Sequence, residues 1–142
     1  AFGDDYATAI AFVDGIAEVS GAPRHGAEWW QQVTPGEAGA LRDHLNAWCP
    51  KLEAAESEAD EANRRAWALL QHFCELAGHF AVAQEHLEGG RAGEAVAEIE
   101  AVEDFVRRTE MQTAPALESY TLLRYLAGLK ARWAEAGTGK QP

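Results

Sequence analysis

The chain has 142 residues, 47% of them hydrophobic, a composition that suits one globular domain burying roughly 68–70% of its unfolded surface. Twenty-three acids against twelve Lys and Arg leave a net charge of -11, which argues against nucleic acid and an anionic membrane as partners, since both require clustered bases. No apolar run approaches the ~20 residues of a membrane span, and the opening AFGDDYATAI carries acids where a signal peptide has a basic region.

Helical periodicity runs nearly end to end, and no segment sustains strand-like alternation. The first predicted helix follows Asp4-Asp5, places Tyr6, Ile10, Val13 and Ala17 on one inward stripe, and stops at SGAP, where Gly21 and Pro23 break it. A loop, RHGAEWWQQV, comes next. TPGE then reads as a capping box, with Thr34 as N-cap, Pro35 at the first helical position and Glu37 reaching back to the free amide. It opens a second helix with Ala38, Leu41, Leu45 and Trp48 inward. Pro50 either ends that helix or kinks it, because proline removes a backbone bond and crowds the preceding turn.

The acidic stretch EAAESEADE reads as the solvated start of a third helix, with Asp60 and Glu61 each four residues before Arg64 and Arg65. That helix carries a seam of Ala66, Leu69, Phe73, Leu76, Phe80, Ala83 and Leu87, and ends at Gly89-Gly90 in a left-handed cap. A fourth helix turns Ala95, Ile99, Val102 and Val106 inward and Glu103–Arg107 and Asp104–Arg108 pairs outward. A fifth begins near Thr113 and Pro115, buries Leu122, Leu126, Leu129 and Trp133, and frays at GTGKQP. The expected fold is all-α, an up-and-down bundle of about five helices, with one domain over residues 1–136 and a flexible tail over 137–142. Ala1 is not an initiator Met, so the expectation is a trimmed chain or a piece of a longer one.

The strongest hint of chemistry is QHFCELAGHFAVAQEH, where His72, His79 and His86 recur every seven residues. Seven helical residues advance the axis by about 10.5 Å, whereas zinc holds nitrogen ligands at about 2.0–2.1 Å, so no two of these rings share an ion. The nearest ligand spacing is His72, Glu75 and His79. Even there one helix supplies too few donors, and the ladder reads as the edge of a packed helix, with no metal or haem expected. Cys49 and Cys74 show neither C-x-x-C nor zinc spacing and read as inert thiols in preference to a disulfide, with a mild lean to a reducing compartment. His72 is two residues from Cys74, on another helix face, so no base is set against that thiol. The acids sit at helix starts or beside arginines, and GTGK lacks the first glycine of a phosphate loop. Trp29 and Trp30 differ: adjacent rings on a helical turn diverge by about 100°, which makes them candidates for an interface.

Most of the chain carries a resemblance. WALLQHFCELAGHF is followed by GGRAGEAVAEIEAVEDFVRRTEMQTAPALESYTLLRYL, in which a long helix ends at a glycine turn. A Glu-Ala helix then closes on Arg107, Arg108 and Glu110, and Pro115, Leu117, Glu118 and Tyr120 start the next. This resembles the helical region that follows the catalytic barrel in some bacterial glycoside hydrolases related to β-N-acetylhexosaminidases and α-glucuronidase-like proteins. AFGDDYATAIAFV looks like the segment leaving the barrel. The resemblance implies a non-catalytic accessory bundle packed beside the barrel of the same parent chain. It carries no catalytic residue over, because that family's acid pair lies in the barrel. The alternatives are a free-standing interaction or dimerisation module and a metal-binding bundle.

Overall fold

The computed structural model describes residues 2, 5–21, 33–113 and 119–138. Five helices account for nearly all of them: α1 (Tyr6–Ser20), α2 (Ala38–Glu58), α3 (Glu61–Glu88), α4 (Ala92–Thr113) and α5 (Ser119–Gly137). No strand occurs among the described residues. The all-α class read from the periodicity is the class found.

Helix ends follow from local chemistry, and several differ from expectation, among them Thr113, expected near the start of the fifth helix but the last residue of α4. α1 stops at Gly21, whose left-handed φ of 66° lets its amide bond Ala17 O at 3.1 Å. A Cβ there would run into the Thr34 side chain, whose own amide returns to Ser20 O at 2.8 Å. The TPGE segment is a type II turn and not a capping box. Glu37 N–H bonds Thr34 O at 3.0 Å, Pro35 takes the second position, and Gly36 has φ 89° at the third. α2 therefore begins at Ala38 with Glu37 as its N-cap, and that cap is without a side-chain bond. Pro-Gly is the stronger signal of the two, because only glycine takes the positive φ that this turn demands.

α2 runs through Pro50 to Glu58. Proline has no N–H for the carbonyl of Asn46, but both residues lie on the exposed side, where water can serve that oxygen. The acidic stretch thus divides between two helices. Asp60 caps α3, its Oδ1 accepting from the Asn63 amide and from Asn63 Nδ2, each at 2.9 Å. The Arg64 guanidinium donates to Ala59 O at 3.1 Å. α3 closes on Gly90, φ 73°, in a Schellman motif: Arg91 N–H reaches His86 O at 2.8 Å and Gly90 N–H reaches Leu87 O at 3.0 Å.

The chain divides into two compact units, Ala1–Ala81 and Val82–Pro142. In the first, α1 and α2 are antiparallel, as the facing pairs Gly21 with Thr34, Gly15 with His44 and Phe12 with Trp48 show. Its core gathers Phe12 and Ile16 of α1, Leu41, Leu45 and Leu52 of α2, and Trp67, Cys74 and Ala77 of α3. The buried stripe of α1 is thus Ala9, Phe12, Ile16 and Ser20, while Tyr6 and Ile10, expected inward, are 60% and 40% exposed. The helix is apolar around most of its circumference, so two stripes fit its spacing, and the ring of Phe12 decides between them by finding aromatic partners. On α3, too, the expected seam is one of two. Trp67, Cys74 and Ala77 are buried as deeply as Phe80 and Ala83, and Trp67 is the largest fully buried side chain among the described residues.

In the second unit, α4 and α5 are antiparallel. Gly137 lies against Ala92, and Lys130 reaches Glu103 at 2.9 Å and Glu100 at 3.9 Å. Ala95, Ile99, Val102 and Val106 are buried as expected, with Phe105 beside them and Leu122, Leu126 and Leu129 from α5.

Candidate functional site

The densest chemistry among the described residues lies where α1, α2 and α3 meet. Its floor is made of rings. Phe12 stacks on the His44 imidazole at 6.2 Å, tilts against Trp48 at 5.7 Å and meets Phe73 edge-on at 6.5 Å. The imidazole occupies a notch that only a glycine leaves open: a Cβ at Gly15 would overlap its ring. His44 Nε2 lies 3.3 Å from Phe12 O, so the ring is oriented by backbone as well as by packing. Lys51 Nζ sits 4.5 Å from the centre of the Trp48 ring, a cation–π contact that lids the half-buried indole. Burial and close packing leave this cluster in the role of a core.

Beside the rings stand two thiols. Cys49, half-buried on α2, and Cys74, fully buried on α3, hold their Sγ atoms 2.6 Å apart. Cys74 Sγ also lies 3.5 Å from Leu45 O. Burial pushes the Cys74 thiol far above the usual range, and the hydrogen bond to Cys49 adds to that. Nothing in the spacing of 49 and 74 points to this contact. It follows from α2 continuing past Pro50, which keeps Cys49 on one arm of the α2–α3 hairpin facing the other.

The histidine ladder is dispersed along α3. His72 and His79 are half-buried and Glu75 is exposed. Burial lowers the pKa of His72 and Glu75 partly offsets it. Among the described residues no three His, Cys, Asp or Glu side chains gather as a metal site. His86 belongs to the α3–α4 turn, where its Nδ1 is 3.2 Å from Glu94 and 3.1 Å from Arg91 Nε. That nitrogen serves one of the two at a time, and at this exposure the cluster is worth only tenths of a kcal/mol. Glu103, expected on the outward face, is 7% exposed and bonds Lys130 in preference to Arg107, which stands off at 3.7 Å.

Among the described residues, four large apolar side chains face solvent: Tyr6 and Ile10 on α1, Met111 at the end of α4 and Tyr120 at the start of α5. Arg124 sits 5.8 Å from the Tyr120 ring. Trp29 and Trp30, the interface candidates, lie outside the described residues. No helix among the described residues is long and apolar enough to cross a membrane. Comparison with protein-family models finds no match, and comparisons with curated proteins and with solved structures find none either.

Proposed function

We propose that the chain is a non-catalytic helical accessory module of a larger carbohydrate-active hydrolase, docking on the catalytic barrel of its parent chain through the first helix. The observation that carries this reading is the pair Tyr6 and Ile10, 60% and 40% exposed and one helical turn apart on α1. They lie in the segment whose sequence resembles the exit from such a barrel. Side chains four apart share a helix face, and two large apolar groups there form a strip that gains free energy on being covered. Polar and charged neighbours such as Asp5 and Glu18 give the strip the rim of an interface.

The test begins with the reading frame upstream of Ala1 and with the (β/α)8 barrel it is expected to encode. That barrel is produced separately, and its binding to this chain is measured by isothermal titration calorimetry. Tyr6→Glu and Ile10→Glu are each expected to weaken binding at least tenfold, with helical circular dichroism unchanged. A barrel that ignores the chain, or binds both variants as tightly, removes the proposal. A dimer of this chain in light scattering that Ile10→Glu dissolves reassigns the strip to a second copy.

A further inference from the structure

Cys49 and Cys74, two free thiols from different helices, are in direct contact in the core of the first unit. We propose that the two are an oxidation site, closing into a disulfide that staples α2 to α3 when a small-molecule disulfide such as oxidised glutathione enters at Cys49. Three observations carry this. The sulfurs come from helices 25 residues apart in sequence yet stand 2.6 Å from one another, so a sub-ångström shift brings them to bonding distance, about 2.05 Å. Their exposures differ: Cys49 is only half-buried, while Cys74 is 0% exposed, so a reagent meets Cys49 first. Finally, Leu45 O, 3.5 Å from Cys74 Sγ, offers an acceptor for the thiol proton and helps hold that sulfur in line.

The reaction balances as two exchanges. The Cys49 thiolate attacks one sulfur of the oxidised glutathione, forming a mixed disulfide and releasing one glutathione thiolate. Cys74, giving up its proton, attacks the Cys49 sulfur and expels the second glutathione thiolate. Two protein thiols lose two electrons and two protons, and the glutathione disulfide takes up both as two thiols. Burial holds the Cys74 thiol protonated in the reduced state, so the inner sulfur is inert until the outer one is engaged. Once Cys49 is in the mixed disulfide, its hydrogen bond and charge no longer hold the Cys74 proton in place. The product closes a loop spanning the α2–α3 turn, which restricts the unfolded chain and stabilises the first unit.

The experiment equilibrates the full chain in glutathione buffers from fully reduced to fully oxidised, then blocks free thiols and weighs the protein intact. Two thiols are expected to vanish together in the monomer with no glutathione retained, and the melting temperature to rise by on the order of 10 °C between the extremes. Cys49→Ser, at the half-exposed position where folding is least at risk, is expected to melt at one temperature throughout and to keep Cys74 unmodified until denatured. Retention of glutathione on Cys49, two unreacted thiols in the oxidised buffer, or a disulfide that leaves the melting temperature unmoved would each overturn the proposal. A Cys49→Ser protein whose Cys74 reacts while folded would overturn the assigned order.

Discussion

The two units solve the same problem, burying one side of each helix, with different materials. The first is built on rings and sulfur: Phe12, Trp48 and Phe73 pack about His44, Trp67 is buried in the same core edge-on to Phe2, the thiol pair joins α2 to α3, and a glycine supplies the notch that lets an imidazole in. The second is mostly aliphatic, with Phe105 its one buried ring among the described residues and Ile99, Val102, Val106, Leu122, Leu126 and Leu129 sealed on one flank by the Lys130–Glu103 pair. Large flat groups fit in few orientations and their neighbours are shaped to them, so the first unit trades tolerance for a specific fit. Branched aliphatic residues substitute for one another at small cost, and the second unit depends more on its polar flank.

The sharpest way to break that contrast is to remove the largest buried ring. Trp67→Ala is expected to cost about 3–5 kcal/mol, a large part of what a domain has, and Ile99→Val about 0.5–1.5 kcal/mol. Chemical denaturation followed by circular dichroism measures both. Equal losses would mean that the ring core holds no special fit.

Next in size is the flank of the second unit. Lys130→Met leaves the carboxylate of Glu103 with only the more distant Arg107 and is expected to cost on the order of 2 kcal/mol. The double variant Lys130→Met/Glu103→Leu should recover most of that, because an apolar pair of similar volume replaces buried charges at little or no loss. A double variant as unstable as the single one would show that the ion pair is stabilising in itself and not merely self-compensating.

The smallest effect tests the notch. Gly15→Ala forces its methyl group into the His44 ring and is expected to cost about 1–1.5 kcal/mol. In a His44→Ala background the same change should instead stabilise by about 0.5–1 kcal/mol, since alanine is the better helix former. The reversal of sign is readable from melting curves of four proteins. A cost that persists without His44 places the strain elsewhere.

Much of this architecture is legible in the residues alone. The helix count, the glycine ends of α1 and α3, and most buried positions of α4 and α5 follow from spacing and from glycine chemistry, although Glu103 turns inward and Trp133 is only half-buried. Those helices have one apolar stripe each, so periodicity has a single solution. α1 and α3 have two, and there spacing is silent on which side turns inward. Tyr6 and Ile10 face out because Phe12 is the side chain of α1 that meets the rings of α2 and α3. The capping box failed for a related reason: Thr-x-x-Glu and Pro-Gly make competing local demands on the same four residues, and the backbone of Gly36 answers the second. The thiol pair was hidden behind Pro50. Proline forbids one hydrogen bond, but whether a helix survives the loss depends on whether water reaches the freed carbonyl, which is a property of the packed surface.

The sequence by itself determined that this chain is helical, where most of its turns lie, and which residues are apolar enough to be buried. Those properties arise from backbone preferences and from periodicities a few residues long. Only the tertiary structure decided which face of α1 is left to solvent, that His44 fills the notch at Gly15, that Glu103 finds Lys130, and that Cys49 touches Cys74. Each of these depends on where a distant segment lands, and the free energy of such a contact is set by shape and solvent exclusion between helices.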